Sequence, residues 1–197
     1  VLTPAMFAEM ARIDYTQVLV NLIAGLAGGF SDVVGSTGTD ATLLNFLSAK
    51  RALHDRDVPG PYLAVLHPTQ WSDIIEDWAL NSGGAVQFDP AAPEMLRIVG
   101  NGYQGRLAGV DVFTTTRVTT ANVGADRAGG MFGRGAIGWA FGSPPVDFAD
   151  RQLALPGGLL FEIDRDADAG VTVMHEQIYL GAAELEDDAG VSIITDA

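Results

Sequence analysis

Cysteine is absent from this 197-residue sequence, and lysine occurs only once, at Lys50. Without cysteine the chain has no disulfide bond, no cysteine-ligated metal and no cysteine nucleophile. Lysine and arginine together number 11 against 25 acidic residues, so the formal net charge is −14. A protein that reads nucleic acid needs clustered basic residues to replace the counterions of the phosphates. The composition therefore argues against that class and predicts a surface that repels DNA.

Long apolar runs are also missing. The uncharged stretch 15–31 is diluted by Gln17 and Asn21 and is shorter than the roughly 20 residues of a membrane helix. No basic segment followed by an apolar core opens the sequence, so we expect neither a signal peptide nor a membrane span. Yet 48% of the residues are hydrophobic, and the mean hydropathy is +0.21. This balance predicts apolar surface that is reserved for partners.

The most informative stretch is 60–84, GPYLAVLHPTQWSDIIEDWALNSGG. The apolar run Tyr62–Leu66 predicts a strand that is covered on both faces, and Pro68 ends it because proline lacks an N–H for the ladder. Thr69–Leu80 changes to helical spacing, with tryptophan and isoleucine on one side and acidic residues on the other. Gly83 and Gly84 predict the end of this helix. A buried strand thus leads into an amphipathic helix that lies on a sheet.

Two further helices are predicted before this stretch. Apolar spacing across Ala5–Ala27 predicts a long helix, with Thr3 as its N-cap and Pro4 at its first position. A second helix is predicted from Thr39 or Asp40 to about His54. Its predicted apolar face consists of Leu43, Leu44, Leu47 and Leu53.

After the central stretch, most predicted elements are strands. Residues 85–93 are expected to be irregular, and 94–99 to form a short element of either type. The predicted strands are Gly109–Thr116, Met131–Phe141, Val146–Asp150, Leu159–Asp164, Val171–Leu180 and Gly190–Thr195. Ala121–Gly130 is rich in glycine and predicts a mobile loop, while the break at 143–145 predicts a domain boundary. Strands in a row with tight turns predict an antiparallel sheet at the end of the chain, and the fold class is α+β.

Three stretches carry a resemblance to a known family: the strand and helix of 60–84, GRLAGVDVF at 105–113, and GGMFGRGA at 129–136. They resemble the major capsid proteins of tailed bacteriophages. The resemblance implies the Hong Kong 97-type capsid fold, with a long spine helix, a mixed α/β axial domain and an antiparallel peripheral sheet. It implies domains at 1–34 (spine helix), 35–142 (axial) and 143–197 (peripheral strands). Family members carry an N-terminal arm and an extended loop before the spine, so we expect a processed chain or part of a longer one, with a complete short protein that starts at a capped helix as the alternative.

Two motifs suggest ligands but lack the context that their chemistry needs. Gly100–Gly105 matches G-x-G-x-x-G, with Asp126 further on, but a dinucleotide site needs a helix after the third glycine, and a strand is predicted there. Asp164, Asp166 and Asp168 alternate as in a calcium loop. That loop needs glycine at its sixth position and glutamate at its twelfth, where this chain has Ala169 and His175. We therefore expect an Asn-Gly turn and an acidic hairpin turn.

Other reactive side chains lack a supporting pattern. Four potential metal ligands flank one turn of the chain: His54, Asp55, Asp57 and His67. No His-x-x-x-His pair enforces their convergence. Three serines lie beside glycine or proline without a Gly-x-Ser-x-Gly elbow: Ser36, Ser82 and Ser143. The lysine–asparagine cross-link of some family members is not expected, because Lys50 lies on a predicted helix.

Together with the resemblance, these observations predict a structural protein without catalytic, cofactor-binding or metal-binding residues. It would be the subunit of an icosahedral phage shell that encloses DNA without sequence-specific binding. Its partners would be copies of itself in hexamers and pentamers, and beyond them scaffold, portal or decoration proteins. It would reside in the virion and, during assembly, in the host cytoplasm. The alternatives are an encapsulin-type compartment, a tail or connector ring, and a small metal-dependent hydrolase.

Overall fold

The three α-helices lie in the first half of the chain, with β1 and β2 between them, and the later elements are mainly strands. A computed structural model describes residues 4–81, 86–92, 102–142, 152–155, 159–166, 168 and 170–196. The elements in chain order are α1 Pro4–Ala27, β1 Val33–Gly35, α2 Leu43–Asp55, β2 Leu63–Leu66, α3 Pro68–Asn81, β3 Phe88–Pro90, β4 Tyr103–Leu107, β5 Val110–Thr114, β6 Thr119–Ala121, β7 Asp126–Phe132, β8 Ile137–Phe141, β9 Gln152–Leu155, β10 Leu159–Asp166, β11 Val171–Ile178, β12 Leu180–Glu184 and β13 Gly190–Asp196.

The chain divides into two compact units. The larger unit comprises Val20–Gly138 and Glu184–Ala197, and the smaller unit comprises Val1–Leu19 and Trp139–Ala183. The larger unit holds a mixed sheet in the order β1-β13-β7-β2-β5-β4-β3, and β6 also pairs with β7. Strand β2 runs parallel to β5, and β1 runs parallel to β13, whereas β7 is antiparallel to both β2 and β13. This mixture of helices and strands confirms the α+β prediction.

Both faces of this sheet are covered. On one face, Phe46 and Leu53 of α2 and Ile74 of α3 pack in a cluster with Leu66 and Met131 of the sheet. On the other face, Ala24 and Ala27 at the end of α1 pack with a second cluster that includes Val65 and Phe132. Neighbouring residues of β2 and β7 thus point into opposite clusters, as the pleat requires. The prediction of a strand buried on both faces is confirmed for β2.

The predicted mobile loop at 121–130 is wrong, because its second half, from Asp126, forms β7, a central strand of the large sheet. Its glycines are required by close approaches of the backbone. A Cβ at Gly130 would lie 1.9 Å from the Ala27 carbonyl oxygen, and one at Gly129 would lie 2.7 Å from the Val65 carbonyl oxygen. The absent side chains let α1 and β2 approach β7. The predicted strand 131–141 is in fact the end of β7, a turn with Gly135 at φ +92°, and β8.

Two details of the second helix also differ from prediction. Its N-cap is Thr42, whose hydroxyl accepts a hydrogen bond from the Asn45 N–H at 3.2 Å, and neither Thr39 nor Asp40 caps it. The helix starts later because Thr39 instead bonds Ser36 within the preceding turn. Leu44 is not part of the buried face but is 71% exposed, and Phe46 takes its place in the core. The short strand β3 lies where irregular structure was predicted.

The smaller unit contains a three-stranded antiparallel sheet in the order β11-β10-β9. Leu159 is opposite Ile178, and Asp166 is opposite Val171, so β10 and β11 form a hairpin of eight paired positions. The predicted antiparallel sheet is confirmed here, but the last strand, β13, pairs with β7 in the larger sheet instead. Strand β9 was not predicted. The predictions at 83–84, 94–99, 143–145 and 146–150 lie outside the described residues.

Candidate assembly surface

The hairpin between β6 and β7 carries an exposed valine at its tip. Residues 122–125 connect the two strands, and the Ala125 N–H donates to the Asn122 carbonyl at 3.2 Å. Val123 is fully exposed, and its φ is +56°. A positive φ is an outlier for a β-branched residue and costs roughly 1–2 kcal/mol. We refer to residues 122–125 as the hairpin tip.

Hydrogen bonds fix this hairpin on the larger unit. The Arg127 guanidinium donates to the Gly124 carbonyl at 3.3 Å, which ties the strand to the tip. On β6, the Thr119 hydroxyl donates to the Gly25 carbonyl of α1 at 3.1 Å. The tip therefore carries an exposed apolar side chain on a hairpin that hydrogen bonds hold in place. Such a preorganised element loses little conformational entropy when it binds a partner.

A second exposed apolar side chain lies in the segment Glu184–Asp188, which we call the acidic turn. Its four other residues are acidic, whereas Leu185 is 69% exposed. The Leu185 N–H donates to the Ala136 carbonyl at 2.8 Å. Asp187 accepts a hydrogen bond from the Ser31 N–H at 2.8 Å, and hydrogen bonds from Ser31 hold the pKa of Asp187 below its ordinary value. Hydrogen bonds to Ala136 and Ser31 thus hold the acidic turn in place, and its side chains are negatively charged.

The hairpin tip and the acidic turn lie at opposite ends of one ladder. Strands β7 and β13 pair along their whole length, from Asp126 opposite Asp196 to Phe132 opposite Gly190. The tip directly precedes Asp126, and the acidic turn overlaps the short 3-10 turn Asp187–Ala189 that leads to Gly190. Seven paired residues span about 20 Å at the usual rise of a strand. The two features therefore lie at opposite ends of the ladder within a single chain.

The smaller unit presents exposed aromatic residues. Trp139 and Phe141 alternate along β8 and contact edge to face, with ring centroids 5.0 Å apart. Tyr15 of α1 stacks on Phe141 at 6.0 Å between centroids. Trp139 is 58% exposed, so this aromatic group is a second apolar patch on the surface. Such patches mark interaction sites more often than isolated exposed residues do.

The dinucleotide motif falls on a strand. Gly102 begins a turn, and Gly105 lies inside β4 with φ +122°, where a Cβ would be 2.3 Å from the Asp89 carbonyl oxygen. Strand β4 continues from Gly105 to Leu107, so this glycine does not open a helix whose N-terminus could hold a pyrophosphate. Gly100 and Asn101, and with them the predicted Asn-Gly turn, lie outside the described residues.

The aspartates of the apparent calcium loop belong to the hairpin of β10 and β11. Asp164 pairs with Val173 and Asp166 pairs with Val171, so both are strand residues rather than loop residues. Asp168 follows in the turn. A calcium loop wraps its ligands around the ion from a turn of twelve residues, and a paired strand does not do so.

His54, His67 and Lys50 have local structural partners. His54 packs edge to face on Tyr62, and the His67 ring nitrogen Nδ1 lies 2.6 Å from the Thr69 hydroxyl. Burial and the charge of Arg127 lower the pKa of His67. Among the described residues, no group of three or more His, Asp and Glu side chains is placed to hold a metal ion. The Lys50 ammonium donates to the Ala108 carbonyl at 2.7 Å. Ser82 and Ser143 lie outside the described residues.

Buried polar side chains in the larger unit were missed by the sequence interpretation. The Gln70 side-chain amide is fully buried and donates to the Arg127 and Ile193 carbonyls and to the Thr195 hydroxyl, at 2.8 to 3.1 Å. It therefore links α3 to β7 and β13. Asp126 is also buried, and its Oδ1 accepts the Gly38 N–H at 3.2 Å. Gln70 stood in the quoted stretch, but a single polar residue on a helix gives no sign of which strands it will meet.

Comparison with known proteins supports the fold. The chain is similar to the capsid of the cyanophage P-SCSP1u, with a TM-score of 0.59 and 14% identity over 99% of this chain and 66% of that one. It is also similar to the SrpI encapsulin of Synechococcus elongatus, with a TM-score of 0.56 and 15% identity over 84% of this chain and 52% of that one. A Helicobacter pylori bacteriophage head protein matches with a TM-score of 0.54 and 13% identity, over 90% of this chain and 63% of that one.

These likenesses define the class of fold. The chain has the capsid fold of phage heads and encapsulins, which is the Hong Kong 97-type fold that the sequence predicted. It spans between about half and two thirds of the length of the structures that it matches. No family model and no curated protein matches the sequence. Among the described helices, none is both long enough and apolar enough to cross a membrane.

Proposed function

We propose that this chain is a structural, non-catalytic subunit of an icosahedral phage capsid, which assembles with copies of itself around the genome. The observation that carries the proposal is the similarity of fold to phage capsids, which covers nearly the whole chain. The exposed apolar residues of the larger unit and the aromatic patch on β8 supply surfaces for contacts between subunits. Closed symmetry repeats each contact many times, so individually modest contacts can sum to a stable shell.

We further propose that the acidic composition suits the interior of a container for DNA. A net charge of −14 disfavours adsorption of nucleic acid on the wall, so the cargo stays mobile. The partners in this role are copies of the chain in hexamers and pentamers, together with scaffold, portal or decoration proteins. The site of action is the virion, and the host cytoplasm during assembly.

The domain division also stays a proposal. The long helix α1 fits the spine helix expected within residues 1–34, and the sheet β9–β11 fits the peripheral strands expected within residues 143–197. The region 35–142 supplies most strands of the large sheet and would be the axial domain. Strand β13 pairs with β7 in that sheet, whichever domain its residues are assigned to.

Electron microscopy of the purified chain tests the proposal directly. A capsid subunit forms closed shells, or capsomer rings when a partner is missing, at micromolar concentration. Analytical ultracentrifugation of the same sample gives the mass of the assembly. A monomer at every concentration, with or without co-expressed neighbouring phage proteins, would exclude the shell function.

An encapsulin-type compartment is the second candidate, because the SrpI encapsulin also matches most of the chain. The contents of purified particles distinguish the two functions. Particles that protect nucleic acid from nuclease favour the capsid, whereas particles that hold a co-purifying protein favour the compartment. An absorbance ratio at 260 and 280 nm and a denaturing gel of the same particles would decide between them.

A further inference from the structure

We propose that the hairpin tip of one copy packs against the acidic turn of the next copy, with Val123 on Leu185. This inference rests on the proposed function and adds to it a specific head-to-tail contact. Both side chains are apolar and exposed, and both lie on turns that backbone hydrogen bonds hold in place. An apolar pair of this kind, surrounded by charges, has the anatomy of a small protein–protein contact.

The charges around the two turns are complementary. The hairpin tip, residues 122–125, carries no acidic side chain, whereas four of the five residues of the acidic turn are acidic. Arg127 lies beside the hairpin tip, whereas Leu185 is flanked by Glu184 and Glu186. Charges of opposite sign steer encounter and fix the register of a contact between copies of an otherwise acidic protein.

The geometry requires two copies. Because the tip and the turn lie at opposite ends of the β7–β13 ladder, about 20 Å apart by strand rise, they do not meet within one chain. A contact between two different patches is heterologous, and it generates closed rings when the rotation between copies closes. Rings of subunits are what a shell is built from, so the inferred contact fits the proposed function without needing a further partner.

The backbone at Val123 is strained, because its φ is +56°. Glycine, asparagine or aspartate adopts a positive φ more readily than valine, so valine at the tip lowers the stability of the isolated subunit. Strain of this kind points to a role of the side chain outside the fold. Since Val123 is fully exposed, that role is a contact with another molecule.

The test uses two charge substitutions that should leave the fold intact. Val123→Asp places a residue that tolerates positive φ at the tip, and Leu185→Lys places a cation among acidic side chains, so neither should destabilise the subunit. Each puts like charges across the inferred contact. Each should therefore raise the concentration at which particles form by about tenfold or more, as measured by sedimentation and electron microscopy.

The double variant and a control make the test specific. Val123→Asp combined with Leu185→Lys restores opposite charges and should return assembly to within about threefold of the wild-type concentration. Leu44→Asp is the matched control, because Leu44 is equally exposed but lies on α2, and an aspartate there suits the helix N-terminus. It should assemble like the wild type. Circular dichroism of every variant checks the fold.

The outcomes separate the inference from the proposed function. A wild-type chain that never assembles overturns both. A wild type that assembles, together with single variants that assemble equally well or a double variant that fails to recover, overturns only the contact. Variants that assemble normally but lose bound nucleic acid would show the tip to be a nucleic-acid contact instead. Weaker assembly of both single variants, together with recovered assembly of the double variant, supports the contact between Val123 and Leu185.

Discussion

Adding one methyl group at Gly130 should displace the end of α1 from the large sheet. Gly130 is buried in β7, and a Cβ built on it would lie 1.9 Å from the carbonyl oxygen and 2.7 Å from the carbonyl carbon of Ala27. An ordinary contact needs about 3.5 Å, so the helix and the strand would have to separate by about 1.5 Å. The blocking atoms are backbone, and no rotamer change relieves the clash.

The cost can be estimated from what the separation would disrupt. Ala24, Ala27 and Phe132 belong to the cluster on this face of the sheet, and Ser192 donates a hydrogen bond to the Phe30 carbonyl just beyond the helix. Overpacking a well-packed core costs typically 1–3 kcal/mol, and the loss of contacts around a moved helix adds to this. We expect Gly130→Ala to lower the free energy of unfolding by about 3 kcal/mol or more.

Gly25→Ala is the matched control, because the same methyl group is added to the same unit. Gly25 lies inside α1, and a Cβ there would meet no heavy atom within 4 Å. Alanine is the better helix former by about 1 kcal/mol, so this variant should be more stable than the wild type. Urea unfolding followed by tryptophan fluorescence, on subunits kept dissociated, measures both. A Gly130→Ala variant within about 0.5 kcal/mol of the wild type would refute the close packing of α1 on β7.

Three further substitutions test other parts of the structure. Gln70→Leu leaves buried hydrogen-bond partners unsatisfied and should cost about 2–4 kcal/mol in the same urea assay; a neutral result would contradict the role of Gln70 in linking α3 to β7 and β13. Burial, followed by the charge of Asp40, raises the pKa of Asp73. The folded state therefore favours the protonated form of Asp73, and the stability that this form contributes is lost as pH rises through the raised pKa. Asp73→Asn should raise the Tm at pH 7 but not at pH 3, and equal shifts at the two pH values would refute this. Val123→Gly relieves the positive φ and should stabilise the subunit by about 1 kcal/mol, whereas a loss of stability would mean that the tip is not strained.

The sequence predicted the elements whose local pattern and tertiary role agree. The strand before Pro68 reads as apolar on both faces and is buried on both faces, and the helix that follows has its apolar residues on one side. Helix α1 and the hairpin of β10 and β11 also lie where the sequence predicted a helix and strands. For β2 and α3 the spacing of apolar residues matches the faces that the element buries, so the spacing reveals the element. In α1 the apolar residues Met6, Met10 and Ile13 are about half exposed, so their spacing predicted the helix without marking a buried face.

The errors arose where one residue type serves opposite purposes. Gly124 lies in a turn with φ +93°, whereas Gly129 and Gly130 lie in a buried strand and are glycine because other backbone approaches them. All three belong to one glycine-rich stretch, and the sequence does not say which neighbour each will meet. Leu44 was assigned to the buried face of α2 for a similar reason, since its neighbours are apolar, but the sheet lies on the other side.

The candidate contact shows a different limit of sequence interpretation. The uncharged turn at 122–125 with Arg127 beyond it is visible in the sequence, and so is the leucine within an acidic run at 184–188. Their relation is not visible, because it depends on the antiparallel register that sets Phe132 opposite Gly190 and Asp126 opposite Asp196. Only that pairing directs the two turns to opposite ends of one rigid ladder. A surface that binds another copy of the same chain is therefore specified by the fold as a whole. In the sequence, the hairpin tip and the acidic turn are two separate turns, and only the pairing of β7 with β13 places them at opposite ends of the sheet.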